Sequence, residues 1–264
     1  MMMHGTAATV VLLRDAPDGL QVLLLERPRH RGSFAGAWVF PGGVVDPQDY
    51  DGGAGDKTGH DDAGLAAAEL ADAELDDAEI AAARRAGVRE TAEETGLQVA
   101  EPDLVLLSCW VPPPEAPRRY RTWFFLAQAP AGEPVLSPEE HVDALWLTPA
   151  EAFRRERAGG LELLPPTWVT LHGLLGRATA AEALAGAAAA SPETYVTRQL
   201  PAGEGEGPVM VWAGDAEYAD AEHDAAEPDP SRRHRLVRDG SGWSYQRSSH
   251  NQRSHNRQEQ RGDF

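Results

Sequence analysis

Apolar positions along this chain fall into short, bounded runs. Thr6–Leu13 and Leu20–Glu26 are apolar and β-rich, with Asp15-Ala16-Pro17-Asp18-Gly19 between them. Proline presets φ, and glycine accepts conformations that other residues avoid, so this segment predicts the turn of a hairpin or meander. Trp38-Val39-Phe40 predicts a short strand, stopped by Pro41-Gly42-Gly43. Residues 46–64 carry Gly and Asp without periodicity and predict a loop. Leu65–Leu75 and Ala78–Thr95 are rich in Ala, Leu, Glu and Arg and predict helices. Strands are predicted at Leu104–Trp110, at the aromatic run Tyr120–Ala127 and at Ala144–Leu147. Pro149 predicts a helix start with Thr148 as its N-cap. A second helix opens at Pro165 and runs to about Gly176, and a third covers Glu182–Ala190. Further on, Pro208–Ala213 predicts a strand, and His234–Arg238 and Trp243–Gln246 predict a hairpin about Asp239-Gly240-Ser241-Gly242. Gly214–Ser231 predicts an acidic loop, and residues 248–264, rich in Ser, His, Asn, Gln and Arg, predict disorder. The order β-β-β, helix, β-β-β, helix predicts an α/β (α+β) layered fold.

Composition narrows the classes. The chain has 264 residues, of which 42% are hydrophobic, which suits one large domain with appendages. Its formal net charge of −18 argues against a nucleic-acid partner. The apolar stretch Ala7–Leu13 is too short for a membrane span or a secretion signal, which predicts a protein with no membrane partner. The single cysteine, Cys109, excludes an internal disulfide and predicts a buried thiol in a reducing cytoplasm. The charge is uneven. Asp46–Glu79 carries 12 acidic residues against Lys57 alone, whereas Ser231–Phe264 carries 8 arginines. The nine histidines show no metal-ligand spacing.

The densest chemistry lies in Arg89-Glu90-Thr91-Ala92-Glu93-Glu94-Thr95-Gly96-Leu97. On a helix, carboxylates at i, i+3 and i+4 share one face and repel by a few tenths (~0.2–0.5) of a kcal/mol per pair. A hard divalent cation collects oxygen ligands and relieves that repulsion. The alternative is a solvated acidic face ending in a Gly96 C-cap.

With Gly42-Gly43 upstream, this string resembles the box of the Nudix hydrolases. The resemblance implies a Nudix-type mixed β-sheet sandwiched between helices over residues 1–200. An acidic insertion would occupy about 44–80, a C-terminal extension with strands 201–247, and a disordered tail 248–264. Arg89 follows Gly43 by 46 positions, about 32 more than the family's box. Ala81 occupies the place of the box's first glutamate, and Asp46, Asp49 or Glu79 are the acids that could replace it. An insertion of this kind is similar to that of a branch that includes the peroxisomal coenzyme A diphosphatases. Similarity to that branch extends to Phe40-Pro41-Gly42-Gly43-Val44-Val45-Asp46, Trp110-Val111, Arg119–Phe125, Trp146–Pro149 and Leu164–Thr167.

The resemblance further implies Mg²⁺ or Mn²⁺ held by Glu90, Glu93 and Glu94 with the Gly43 carbonyl. Arg89 would fix a glutamate rotamer, and Glu139 or Glu140 would supply a further catalytic acid or base. Arg27, Arg29 and Arg31, with Phe40 and Gly42, are the expected substrate-binding residues. The implied reaction is hydrolysis of a nucleoside diphosphate linked to X, with coenzyme A or its acyl derivatives as X-bearing substrates. ADP-ribose or NADH pyrophosphatase activity, or a non-catalytic nucleotide-binding module, are the alternatives. The implied partner is a small nucleotide, with a homodimer as the assembly considered.

Overall fold

A computed structural model of the chain describes residues 3–30, 34–50, 76–137, 140–201, 207–218, 229–240 and 242–248. Arg31, Glu139, the expected helix Leu65–Leu75 and the tail beyond Ser248 lie outside the described residues.

Strands β1 (Gly5–Ala16) and β2 (Gly19–Glu26) form the expected hairpin, paired from Leu13↔Val22 to Ala16↔Gly19. Two short strands follow, β3 (Ala37–Val39) and β4 (Gly42–Val44). Helix α1 (Asp77–Thr95) starts at Asp76, whose side chain accepts from the Ala78 and Glu79 N–H groups. It ends at Gly96 with φ of 70°, the left-handed C-cap that glycine adopts without a Cβ penalty. Next come β5 (Val105–Val111), β6 (Tyr120–Gln128) and β7 (Asp143–Leu147). Helix α2 (Pro149–Arg157) is capped by Thr148 as its sequence predicts, the hydroxyl accepting from Glu151 N–H. The remaining elements are β8 (Glu162–Leu163), α3 (Pro165–Leu174), α4 (Ala180–Ala188), β9 (Glu193–Val196), β10 (Arg198–Leu200), β11 (Val209–Val211), β12 (His234–Asp239) and β13 (Gly242–Arg247).

The large sheet is mixed, in the order β8-β3-β2-β1-β6-β5-β9, with β4 on β1 and β7 on β2. Parallel pairing of β1 with β6, from Gly5↔Tyr120 to Leu13↔Gln128, puts both strands at its centre. Central strands are apolar throughout because both faces are covered. Val11, Leu13, Val22, Leu24, Phe124 and Leu126 point into the core shared with α2, α3 and α4. Their alternates Val10, Leu12, Leu23, Leu25, Trp123 and Phe125 point into the core shared with α1. Helices thus cover both faces, as the sequence predicts. Trp38, Trp110 and Cys109 are buried, and burial pushes the Cys109 thiol up to about 12. Among the described residues no helix is long and apolar enough to cross a membrane.

The segment read as an acidic loop contributes to packing. Asp215 is buried and accepts from Arg235 Nε at 2.7 Å and from His234 N–H at 2.8 Å. This pair sits in the four-stranded sheet β10-β11-β12-β13, whose Trp212 and Leu236 join the first core. Trp110 stacks on Tyr195 at 4.0 Å and meets Trp212 edge-on. The three- and four-residue strands β4, β9 and β10 have no apolar run to announce them.

Leu12 is fully buried between β1 and α1. Leu12→Ala is expected to cost about 2–5 kcal/mol, read as a lowered midpoint in denaturant titration with an unchanged slope.

Candidate functional site

Gly42 and Gly43, which the sequence reads as the stop after a strand, instead form β4, which pairs with β1 at Thr9↔Gly42 and Ala8↔Gly43. Their neighbour is the C-terminal half of α1, where Glu90 and Glu94 lie. Both contacts depend on a missing Cβ. A Cβ on Gly42 would fall 2.2 Å from the Ala8 carbonyl oxygen, and one on Gly43 would fall 2.3 Å from Glu90 Cδ. The Glu90 carboxylate therefore occupies the space that a side chain at 43 would fill. Gly42 N–H donates to Glu94 Oε2 at 2.8 Å.

The three box carboxylates differ in environment. Glu94 is buried, Glu90 is half-buried, and Glu93 is exposed at the rim. Burial pushes Glu94 up to about 8, against the pull of the Gly42 N–H, and the Glu90 and Glu140 charges push it further. Glu90 is also raised, first by burial and then by Glu93 and Glu140, while Arg89 opposes the shift. Crowding of carboxylates in a buried place is what a divalent cation relieves. The donor set and the Gly43 cradle thus fit such an ion.

Arg89 ties this group together. Its Nη1 donates to Glu90 Oε1 at 2.8 Å and to Glu93 Oε2 at 3.3 Å. Its Nε and Nη2 donate to Asp49 Oδ1 and Oδ2 at 3.2 and 2.9 Å, a two-point contact that fixes the guanidinium plane. Arg85, one turn earlier, donates to the Asp49 carbonyl at 2.7 Å. Asp49 is 4% exposed and accepts the Asp46 N–H, ordering the chain just after β4. Of the three acids that could replace the glutamate missing at Ala81, Asp49 makes the contact. Asp46 stays 3.7 Å from Arg89, and Glu79 instead accepts from Trp123 Nε1 and Arg121.

The segment after β6 closes the site. Val135 N–H donates to the Thr95 carbonyl and Ser137 N–H to the Glu94 carbonyl, satisfying the end of α1. Val142 N–H donates to the Glu26 carbonyl of β2. Between these anchors, Glu140 and His141 reach Glu94, with one donor atom of each of the three residues within 4.8 Å of the others. His141 Nε2 lies 3.8 Å from Glu94 Oε1. The two form no ion pair at neutral pH, because burial and the nearby Arg27 hold the imidazole down at about 4. Sequence reading passes over His141, since its partner is 47 positions away and no spacing signals it.

The expected substrate residues divide. Arg27 lies close enough to lower both Glu94 and His141. Arg29 is turned to Glu26 at 3.0 Å. Phe40 is buried in the core on the other side of the sheet, edge-on to Phe124, and stands apart from the carboxylates.

Residues 72–165 match the model of the NUDIX domain family. A solved NUDIX hydrolase from Alicyclobacillus acidocaldarius is 26% identical, covers 70% of this chain and 96% of its own, and superposes with a TM-score of 0.55. The NUDIX domain of Shewanella oneidensis NrtR, solved with ADP ribose, is 16% identical over 65% of this chain and 86% of its own, with a TM-score of 0.44. An Ap4A hydrolase from C. elegans is 20% identical over 69% of this chain and 99% of its own, with a TM-score of 0.38. No curated protein matches the chain. The domain match and the Alicyclobacillus hydrolase support a hydrolase of the pyrophosphatase type.

The two glycines are expected to separate under substitution. Gly42→Ala overlaps the backbone of β1 and should cost about 3 kcal/mol of stability. Gly43→Ala meets only the movable end of Glu90 and should leave the melting temperature nearly unchanged while weakening Mn²⁺ binding, read by calorimetric titration. Asp49→Ala removes the two-point partner of Arg89, which keeps Glu90 and Glu93, and is expected to cost about 1.5–3 kcal/mol, whereas Asp46→Ala should cost under about 1 kcal/mol.

Proposed function

We propose that this NUDIX-domain chain is a divalent-cation-dependent hydrolase that cleaves the diphosphate bond of a nucleoside diphosphate linked to X. The observation that carries the reading is the convergence of Glu90 and Glu94 on the glycine strand, with Glu140 beside Glu94 and Arg89 clamped to Asp49. In this reading Glu90, Glu93 and Glu94, with the Gly43 carbonyl, hold Mg²⁺ or Mn²⁺. The ion supplies Lewis-acid neutralisation of the diphosphate charge, which otherwise repels an attacking water.

The remaining work falls to the chain. Arg89 keeps the Glu90 carboxylate turned toward β4 rather than into solvent. Arg27 meets a phosphate oxygen of the substrate. Glu140, exposed and on the loop side of the group, takes a proton from the attacking water. A P–O bond forms to that water, the anhydride P–O bond breaks, and the bond pair leaves on the departing phosphate. The nearness of Glu140 to Glu90 and Glu94 suits that role, because a base must lie beside the charge it helps to build.

Coenzyme A and its acyl derivatives are the first substrates to try. The support is the similarity at Phe40–Asp46 and Leu164–Thr167 to the insertion-containing branch. The non-catalytic reading draws on Ala81, where the box has a glutamate; Asp49, which accepts from Arg89, is the acid we offer in its stead.

A panel of coenzyme A, acyl-coenzyme A, NADH, ADP-ribose and dinucleoside polyphosphates, assayed with Mg²⁺ or Mn²⁺, tests the proposal. Turnover of at least one is expected, with kcat lowered about 10²–10³-fold in Glu94→Gln. No turnover of any of them would remove the enzymatic reading, and turnover indifferent to Glu94→Gln would remove the ligand assignment.

A further inference from the structure

The following rests on the reading of Glu94 as a cation ligand. His141 is 3% exposed, and among the described residues neither ring nitrogen makes a hydrogen bond. Nδ1 has no partner, and Nε2 stands 3.8 Å from Glu94 Oε1, beyond hydrogen-bond reach. Buried polar atoms are nearly always paired, so an imidazole in this state is short of a partner. Its ring is directed at a carboxylate, and the Glu94, Glu140 and His141 donor atoms cluster within 4.8 Å. An imidazole beside two carboxylates brings together one nitrogen and two oxygens as possible metal ligands.

We propose that His141 is a nitrogen ligand of the cation held by Glu94, with Glu140 beside it, and that it biases this site toward a first-row transition ion over Mg²⁺. Mg²⁺ is served by carboxylates, phosphates and retained waters, whereas an imidazole nitrogen adds affinity for transition ions. The placement of His141 is built into the fold. Its N–H donates to the Ser137 carbonyl, Ser137 N–H donates to the Glu94 carbonyl, and Val142 N–H donates to the Glu26 carbonyl. The loop is therefore tied on both sides of the imidazole, once to the helix that carries Glu94 and once to the central sheet.

The full chain loaded with Mn²⁺ at one equivalent provides the test, read by pulsed electron paramagnetic resonance. The expected result is ¹⁴N modulation in the wild type, converted to a ¹⁵N pattern when histidine is ¹⁵N-labelled and lost in His141→Gln. The Mg²⁺ concentration needed to displace half of the Mn²⁺ should fall about 10-fold or more in His141→Gln, the scale on which metal-site neighbours alter affinity. The isotope measurement is made on the wild type and so does not depend on how the variant folds. Mn²⁺ bound in a Glu94-dependent way but without nitrogen coupling would overturn this inference alone. Absence of Glu94-dependent Mn²⁺ binding would overturn the proposed function with it.

Discussion

The site depends on how closely helix α1 can approach strand β4. Gly42 lies against the backbone of β1, and Gly43 leaves the space that the Glu90 carboxylate enters. With any other residue at 43, Glu90 would have to swing away. The same approach puts Gly42 N–H on Glu94. The Glu94 carboxylate is therefore positioned by backbone, and Glu90 by the space at Gly43 together with Arg89. Backbone contacts of this kind are rigid, because β4 is held in turn by its pairing with β1.

Charge decides what such an approach can be used for. Burial first, and neighbouring carboxylates after it, raise Glu90 from its ordinary value and push Glu94 up to about 8. Arg89 offsets part of this, but its guanidinium is shared with Asp49, which anchors the chain after β4. One arginine thus links the helix, the strand and the turn, and it holds the charge of the group below neutralisation. What remains negative fits a divalent cation.

The opposite face of the sheet is devoted to packing. Trp110, Tyr195 and Trp212 interlock there, joining the β10–β13 sheet to the core that α2, α3 and α4 cover. Trp212 Nε1 donates to Thr197 Oγ1, and the buried Asp215 accepts from Arg235. The β10–β13 sheet is in this way tied to the large sheet by aromatic contact, and β9 by its pairing with β5.

Local pattern alone determined the strands of the central sheet, the start of α2 at Thr148-Pro149, the end of α1 at Gly96 and the line of carboxylates along α1. Each rests on periodicity or on a cap, and these act over a few residues. The sequence also held the glycine pair, though as the stop after a strand and not as a strand, because three residues without an apolar run carry no strand signal. Only the tertiary structure decided which acid meets Arg89, since Asp46, Asp49 and Glu79 are equivalent to any local rule. It alone brought His141 to Glu94. That meeting is made by hydrogen bonds from the 135–142 segment to the end of α1 and to β2, and such closure between distant segments leaves no trace in the spacing of residues.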